Sequence, residues 1–212
     1  MEEKRFCTKQ VYNEILFETK NFKVIPSLGS LVEGWLLVIP KIHYISYGEI
    51  TDVTLLEELD MLLNYVCNII KIEYGEYIIF EHGPIEENSK VGCGVDYAHI
   101  HIVPIKLNLD LINSLSQETL QWANVESLHS TSSYTNSGRA YLYFQDNSKN
   151  CYIGTKEDIP SQFFRRIIAT IIGRPQIFDW KTNYFLENVK STYARLKKYK
   201  KLCAMPKRNE YA

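Results

Sequence analysis

Hydrophobic and polar positions in the first half of the chain predict short strands and one long helix. Residues 14–17 and 22–26 flank a polar turn, which is typical of a hairpin. The uninterrupted apolar run at 35–39 predicts a strand buried on both faces. From 52 to 72 the apolar residues recur every three or four positions, which predicts a helix with one buried stripe and Asp52 as its N-cap. These elements favour a sheet packed against the helix.

The second half of the chain repeats the pattern on a smaller scale. Residues 127–138 are rich in serine and threonine and resemble a linker. Residues 140–144 and 151–154 then predict a hairpin with an aromatic face, followed by a helix that opens at Pro160. A last helix is expected at about 184–202.

We therefore predict an α+β protein. Residues 1–105 are expected to form an antiparallel sheet with one long helix, and residues 106–212 a C-terminal extension whose hairpin and helices pack on that sheet. At 212 residues with 45% hydrophobic content, the chain is long and apolar enough for a substantial core.

Charge and cysteine content narrow the classes of partner. The formal net charge of −1 argues against an extended basic surface for nucleic acid and leaves a compact phosphate pocket open. Five cysteines are scattered without a C-x-x-C pair, which favours free thiols, so we expect a cytoplasmic protein. No segment resembles a signal peptide or a membrane span, and we expect no membrane partner.

Two histidines one residue apart carry the candidate chemistry. In an extended strand His99 and His101 point to the same face, and the isoleucines between and after them point to the other. A neutral imidazole is a nucleophile toward phosphorus, and Gly92 and Gly94 let backbone amides approach an anion. The alternatives are a chance pair on a half-exposed face or part of a metal site, although we find no convincing metal ligand set and expect no cofactor.

The stretch from Gly92 to Pro104 resembles the signature of the histidine-triad (HIT) superfamily of nucleotide hydrolases and transferases, His-φ-His-φ-His-φ-φ after a glycine-containing prefix. Aligned on that prefix, Tyr97 stands at the first histidine, His99 at the second and His101 at the third. A second block at 34–43 resembles the strand and turn G-H-x-L-V-I-P-K-x-H of the same family. The resemblance implies that His99 is the nucleophile.

Two departures from the family pattern affect the expected site, although the resemblance covers roughly residues 12–105. Tyr97 replaces the first histidine of the triad, and Trp35 replaces the histidine that usually follows the glycine of the upstream block. A tyrosine hydroxyl can still donate a hydrogen bond, and an indole can donate or stack on a base. Gly94 replaces the usual prefix serine, and its backbone amide is expected to hold a phosphate.

Three more candidates follow from the family pattern. Ser27 and Leu28 lie in a loop that reaches the ribose and base in relatives, and an ordinary surface loop is the alternative. His82 lies in a predicted turn at 81–84, close to the expected site. For His43 we favour a structural role over one in the chemistry.

The segment from 160–166 to 179–181 resembles the C-terminal part of CwfJ-like HIT proteins, in which a Q-F-x-R helix ends near D-W-R. The resemblance implies that Gln162, Arg165 and Arg166 lie at a helix N-terminus, where the dipole favours an anion. An arginine there is expected to bind a distal phosphate. The alternative is a surface arginine pair that forms ordinary salt bridges.

The leading functional hypothesis is hydrolysis at the α-phosphate of a nucleotide or dinucleoside polyphosphate through a nucleotidyl-histidine on His99. His101 is expected to contact phosphoryl oxygens or the leaving group. One alternative is a binding module for a nucleotide or an RNA end, without turnover. Another is a nucleotidyltransferase or phosphorylase. A nucleic-acid contact through the basic residues at 195–201 is a minor alternative, and a homodimer is left open because small relatives pair.

Overall fold

A computed structural model describes residues 13–89, 91–92 and 94–202. Over these residues the chain forms one eight-stranded sheet and five α-helices. The strands are β1 (Phe17–Glu18), β2 (Phe22–Pro26), β3 (Leu36–Pro40), β4 (Ile78–Gly83), β5 (Ile100–Val103), β6 (Gln121–Val125), β7 (Tyr141–Gln145) and β8 (Cys151–Thr155). The helices are α1 (Val53–Tyr74), α2 (Leu109–Leu115), α3 (Thr131–Asn136), α4 (Phe163–Ile171) and α5 (Leu186–Leu196). Short 3₁₀ turns occupy Tyr47–Glu49, Leu128–Ser130, Pro175–Ile177 and Lys197–Leu202.

The sheet is antiparallel throughout, in the order β1-β2-β3-β5-β4-β7-β8-β6. The strand that carries the histidine motif, β5, lies between β3 and β4. The hairpin of the extension adds to the edge of β4, so strands from both halves of the chain form one sheet. The predicted α+β class, with an antiparallel sheet and one long helix, is confirmed.

Helix α1 begins and ends where the sequence predicts. The Asp52 side chain accepts hydrogen bonds from the amides of Thr54 and Leu55, and Gly75 takes a positive φ of 88° that a side chain would disfavour. The apolar stripe of α1 packs on one face of the sheet. That core joins the helix residues Leu59, Leu62, Val66, Cys67, Ile69 and Ile70 to Val24, Leu36, Val38, Ile79, Ile100 and Ile102 of the strands.

Helix α4 covers part of the opposite face of the sheet. Its residues Phe163, Phe164, Ile167 and Ile168 form a second core with Trp35, Ile78, Phe80, Val103, Leu142 and Phe144. Alternate residues of each strand therefore contribute to different cores, as the period of two in a pleated strand requires. We refer to the two sides of the sheet as the α1 face and the α4 face.

Three parts of the fold differ from the sequence-based expectation. Residues 81–83, predicted as a turn, continue β4 because they pair with β7. The segment 127–138, predicted as a linker, contains a 3₁₀ turn and α3. Its hydroxyls bond backbone carbonyls three positions back, as Thr131 Oγ1 does with Leu128 O at 2.7 Å, so a polar composition is compatible with a short helix here. Strand β6 was not predicted, because most of its residues are exposed.

Other expectations are settled only for part of the chain. Cys67 and Cys151 are buried free thiols, whereas Cys7, Cys93 and Cys203 lie outside the described residues. The final helix is shorter than predicted, since α5 ends at Leu196 and a 3₁₀ turn follows. Over the described ranges no helix is both long and apolar enough to cross a bilayer.

Candidate functional site

The paired histidines lie on the α4 face, near the centre of the sheet. His101 is opposite Leu37 of β3 on one side and Phe80 of β4 on the other, and its ring stacks on Phe80 at 4.3 Å between centroids. His99 immediately precedes β5, with its ring 4.8 Å from that of His101. Ile100 belongs to the core on the α1 face. The alternation predicted from the sequence thus brings both imidazoles together on one side.

One hydrogen bond fixes the tautomer of His99. Its Nδ1 lies 2.7 Å from the backbone carbonyl oxygen of Tyr97. A carbonyl oxygen can only accept, so Nδ1 carries the proton. In the neutral ring Nε2 is then left with a lone pair. The local chain conformation before β5 therefore prepares His99 as a nucleophile at Nε2.

His101 holds the opposite tautomer. Trp35 Nε1 lies 2.9 Å from His101 Nδ1, and because an indole N–H can only donate, Nδ1 must accept. The proton of the neutral ring is therefore on Nε2. This Nε2 is buried and meets no hydrogen-bond partner among the described residues. A buried donor without a partner costs about 1–3 kcal/mol, so a ligand oxygen that accepts this bond would recover that energy.

Burial keeps these rings neutral. His99 is 9% exposed and His101 3%, and desolvation lowers the pKa of both below the ordinary value. For His101 the neighbouring His99, His82 and Arg165 lower the pKa further, whereas the bond to Tyr97 O opposes the shift at His99. Both histidines are consequently neutral at physiological pH, which is the state that a nucleophile and a neutral donor require.

His82 joins the same cluster from β4. Its ring meets that of His101 at 6.2 Å, edge to face, and it packs against Phe80 and Phe164. Burial, with the charges of His99 and Arg165, lowers the pKa of His82 to about 3. The sequence thus places His82 correctly near the motif, but on a strand rather than in a turn.

Arg165 lies behind the cluster rather than on the surface. Its side chain is 1% exposed, and the guanidinium lies 4.9 Å from the Trp35 ring centre. Nε donates to Phe178 O at 2.8 Å, and Nη2 donates to Gly29 O. The alternative of a surface salt-bridge pair is therefore wrong for Arg165. Its buried charge acts on the site through its field and supports the indole that holds His101.

Gln162 and Arg166 flank the start of α4, as predicted, but their contacts are with the protein. The Gln162 amide donates to Asp179 Oδ1 at 3.0 Å and accepts from the Trp180 amide at 3.3 Å. Arg166 is exposed and stacks on Phe178 at 3.8 Å. The structure therefore assigns to Gln162 the positioning of the 179–181 segment, where the sequence predicts substrate binding.

The loop before the motif is held by the extension. Ser161 Oγ donates to Gly92 O at 2.8 Å, so α4 and this loop are joined at one point. Gly94 has a φ of 74°, and a methyl group added to its Cα would lie 2.5 Å from Lys181 Nζ. Within the described residues neither glycine amide donates to another backbone group. Lys181 was missed in the sequence, where its only signal is its place in the D-W-K segment.

Tyr97 stands at the edge of this cluster and braces the turn after β3. Its hydroxyl lies 3.0 Å from Pro40 O and 3.2 Å from Lys41 O, so its proton is donated to backbone. His43 packs against the Tyr97 ring at 5.0 Å and donates from Nε2 to Asp96 O at 2.8 Å. These contacts give both residues a structural role, which the sequence predicts for His43 and not for Tyr97.

The two nucleoside candidates remain at the margin. The Ser27 amide donates to Trp35 O at 2.9 Å and its hydroxyl to Leu28 O at 3.3 Å, so Ser27 is buried and committed to its own loop. Leu28 is half-buried. The carbonyl of the next residue, Gly29, accepts from Arg165. This loop thus helps to hold the arginine behind the histidines.

No group of three or more histidine, cysteine, aspartate or glutamate side chains is arranged to hold a metal ion in the described part of the chain. No family model and no curated protein matches this sequence.

Proposed function

We propose that this protein is a HIT-type nucleotide hydrolase or nucleotidyl transferase that acts through a covalent intermediate on His99. One observation carries the proposal: His99 and His101 are neutral, adjacent and held in opposite tautomers. One ring presents a lone pair, and the other presents an N–H. The motif spacing and its central position in an antiparallel sheet with one long helix support a HIT-like fold.

In the proposed first step, the Nε2 lone pair of His99 attacks the α-phosphorus of a nucleotide. A bond forms between Nε2 and phosphorus while the bond from phosphorus to the leaving group breaks, and the leaving group departs with the bonding electrons. The imidazole becomes positively charged, and the Tyr97 carbonyl that accepts from Nδ1–H stabilises that charge. Water then attacks phosphorus, which frees neutral His99 and releases the nucleoside monophosphate and a proton.

His101 is proposed to donate from Nε2–H to a phosphoryl oxygen. Its buried donor is preorganised by the Trp35 bond to Nδ1, so it does not have to reorient during the reaction. The amides of Gly92 and Gly94 would add donors along the same loop. Trp35 therefore replaces a family histidine without removing the order of the site, because it holds His101 in one tautomer.

A nucleotide-binding module without turnover is the second candidate. The specific observation that favours it is that the Tyr97 hydroxyl and the Trp35 indole donate to the protein itself. Both family positions thus offer one donor fewer to a phosphate. The reaction rate decides between the two candidates, because only the enzyme needs the His99 lone pair.

The test is a turnover assay with a matched histidine control. Wild type, His99→Ala and His129→Ala would be incubated with adenosine and guanosine dinucleoside polyphosphates and an adenosine phosphoramidate, with products separated by chromatography. His129 is half-buried and bonded to Asp60, outside the site. We expect turnover in wild type and His129→Ala, and a loss of about a thousandfold or more in His99→Ala.

Two further arms separate the alternatives. Added inorganic phosphate or a sugar phosphate would be transferred by a phosphorylase or nucleotidyltransferase, which gives a nucleotidylated acceptor in place of the monophosphate. Nucleotide binding without turnover in any variant would contradict the enzyme and favour the binding module.

A further inference from the structure

We propose that Lys181, in the C-terminal extension, is the residue that binds the phosphates beyond the reacting one. The inference rests on the proposed function and names its substrate class: nucleotides with an anionic, phosphate-containing leaving group. It concerns a residue that no motif pointed to and that contacts the motif loop only through the fold.

The ammonium of Lys181 lies against the backbone of the loop that leads to His99. A methyl group on Gly94 would be 2.5 Å from Nζ and 2.9 Å from Cε, so the glycine provides the space that the lysine end occupies. Gly94 also has a φ of 74°, a conformation that other residues rarely adopt. The loop and the lysine are therefore fitted to each other.

The lysine is held in place by a chain of hydrogen bonds that starts at α4. Gln162 Nε2 donates to Asp179 Oδ1, and the same oxygen accepts from the Lys181 amide at 3.0 Å. The Gln162 carbonyl oxygen accepts from Trp180, which fixes the next peptide. This order lowers the pKa of Asp179 through Gln162 and the Lys181 amide, despite partial burial. The segment is thus a rigid base for the flexible end of Lys181.

The charge of Lys181 is available to a ligand. Over the described residues its ammonium forms no ion pair with a carboxylate. Asp179 bonds the Lys181 amide rather than Nζ. A lysine ammonium is a strongly hydrated point charge with three donors, which suits the oxygens of a polyphosphate.

Depth distinguishes the role of Lys181 from that of His101. The His101 donor is buried in the sheet, whereas Lys181 is exposed at the outer side of the motif loop. A nucleotide whose α-phosphate reaches His99 would extend its remaining phosphates away from the buried rings. The exposed ammonium is then the group that meets them.

The test compares two ligands that differ only in distal phosphates. Binding of AMP and of α,β-methylene-ATP, which cannot be cleaved between the first two phosphates, would be measured by calorimetry, with the guanosine forms in parallel. Proteins would be wild type, Lys181→Met, Lys181→Arg and Lys106→Met. Lys106 is an exposed lysine after the opposite end of β5, 3.6 Å from Glu76, and controls for the loss of one charge.

We expect Lys181→Met to weaken binding of the methylene analogue about tenfold and to leave AMP binding within about twofold. Lys181→Arg should keep most of the affinity, and Lys106→Met should match wild type. Equal affinities of wild type and Lys181→Met for the analogue would overturn the assignment, as would an equal loss for AMP. Turnover by wild type without this difference would overturn only the role of Lys181.

The reverse result separates the two proposals. A Lys181-dependent preference for the analogue in a protein that turns over no nucleotide would contradict the hydrolase and keep the anion site. If wild type binds neither ligand, both proposals fail.

Discussion

Glu81 and His82 are neighbours on β4, yet they meet opposite fates on the two faces of the sheet. Glu81 is fully buried on the α1 face, where desolvation raises its pKa to about 7, although bonds from the Tyr47 amide at 2.6 Å and the Tyr141 hydroxyl at 2.8 Å oppose the shift. His82 is buried on the α4 face, where desolvation lowers its pKa to about 3. Burial drives both groups toward neutrality.

The difference lies in how the buried polar atoms are satisfied. Both carboxyl oxygens of Glu81 have protein partners, and the hydroxyl of Tyr141 accepts in turn from the Gly48 amide at 3.0 Å. On the α4 face the His101 Nε2–H has no partner among the described residues. A fully satisfied buried network stabilises a fold, whereas an unsatisfied donor beside a nucleophile indicates a binding site. The α1 face is therefore structural and the α4 face functional.

The largest effects should come from two adjacent residues that point to opposite faces. His99→Ala is expected to lower turnover about a thousandfold or more while changing the free energy of unfolding by less than about 2 kcal/mol. Ile100→Ala should lower the free energy of unfolding by about 2–5 kcal/mol, because Ile100 is fully buried against α1.

Urea unfolding and nucleotide turnover would be measured on both variants under conditions in which each remains folded. Ile100→Ala should retain most of its specific activity per folded molecule. A loss of activity in Ile100→Ala as large as that in His99→Ala would contradict the division of roles between the faces.

Glu81→Gln tests the structural network on the α1 face. An unfolded glutamate ionises near its ordinary pKa of 4.5 and the folded one only near 7, so the folded chain binds the extra proton between these values. The stability that protonated Glu81 confers is present below about 4.5 and is lost as the pH rises through about 7. Glutamine mimics the protonated form, so the variant should be more stable than wild type at pH 8, by at most about 3 kcal/mol.

The measurement is urea unfolding at pH 5 and pH 8. The gain of Glu81→Gln over wild type should be larger at pH 8, and the contributions of the histidines cancel in this difference because both proteins contain them. Glu187→Gln, at a highly exposed position, should show no such dependence. A Glu81→Gln variant that is equally destabilised at both pH values would show that the network needs the ionised carboxylate.

Trp35→Phe tests the bond that orders the functional face, with a smaller effect. The change removes the donor to His101 Nδ1 and keeps an aromatic ring between Phe80 and Arg165. We expect turnover to fall about 10- to 100-fold, because His101 is no longer held with its proton on Nε2. Phe164→Leu, which alters the same core without removing this donor, is the matched control.

Nitrogen-15 NMR of the imidazoles gives a readout that packing alone would not move. In wild type and Phe164→Leu, His99 should be protonated at Nδ1 and His101 at Nε2 at neutral pH. In Trp35→Phe the His101 signal should show a mixture of tautomers. The same tautomer for both rings in wild type would refute the geometry on which the mechanism depends.

Local pattern was enough to predict the parts of the fold that depend on local pattern. The apolar stripe, Asp52 and Gly75 define α1, and the alternation around His99 places both histidines on one face. The extension of β4 through residues 81–83 was not predictable, because pairing with β7 decides it and that strand lies some 60 residues away in sequence.

The site was predictable only where one short segment contains it. Trp35 and His101 are 66 positions apart, and nothing in the sequence shows that the indole donates to that ring. The contact between Gly94 and Lys181 likewise depends on how the extension folds back over the motif loop. Motif resemblance therefore located the nucleophile, while long-range contacts define how its surroundings act.

The central claim is that His99 forms a covalent bond to phosphorus, and trapping that adduct tests it most directly. Wild type, His99→Ala and His129→Ala would be mixed with a substrate labelled at the α-phosphate, quenched in alkali, in which a phosphoramidate bond survives, and mapped by mass spectrometry of peptides. The account predicts a nucleotidyl group on the peptide that contains His99 in wild type and His129→Ala, and none in His99→Ala. Undiminished turnover in His99→Ala with no adduct in any of the proteins would contradict it.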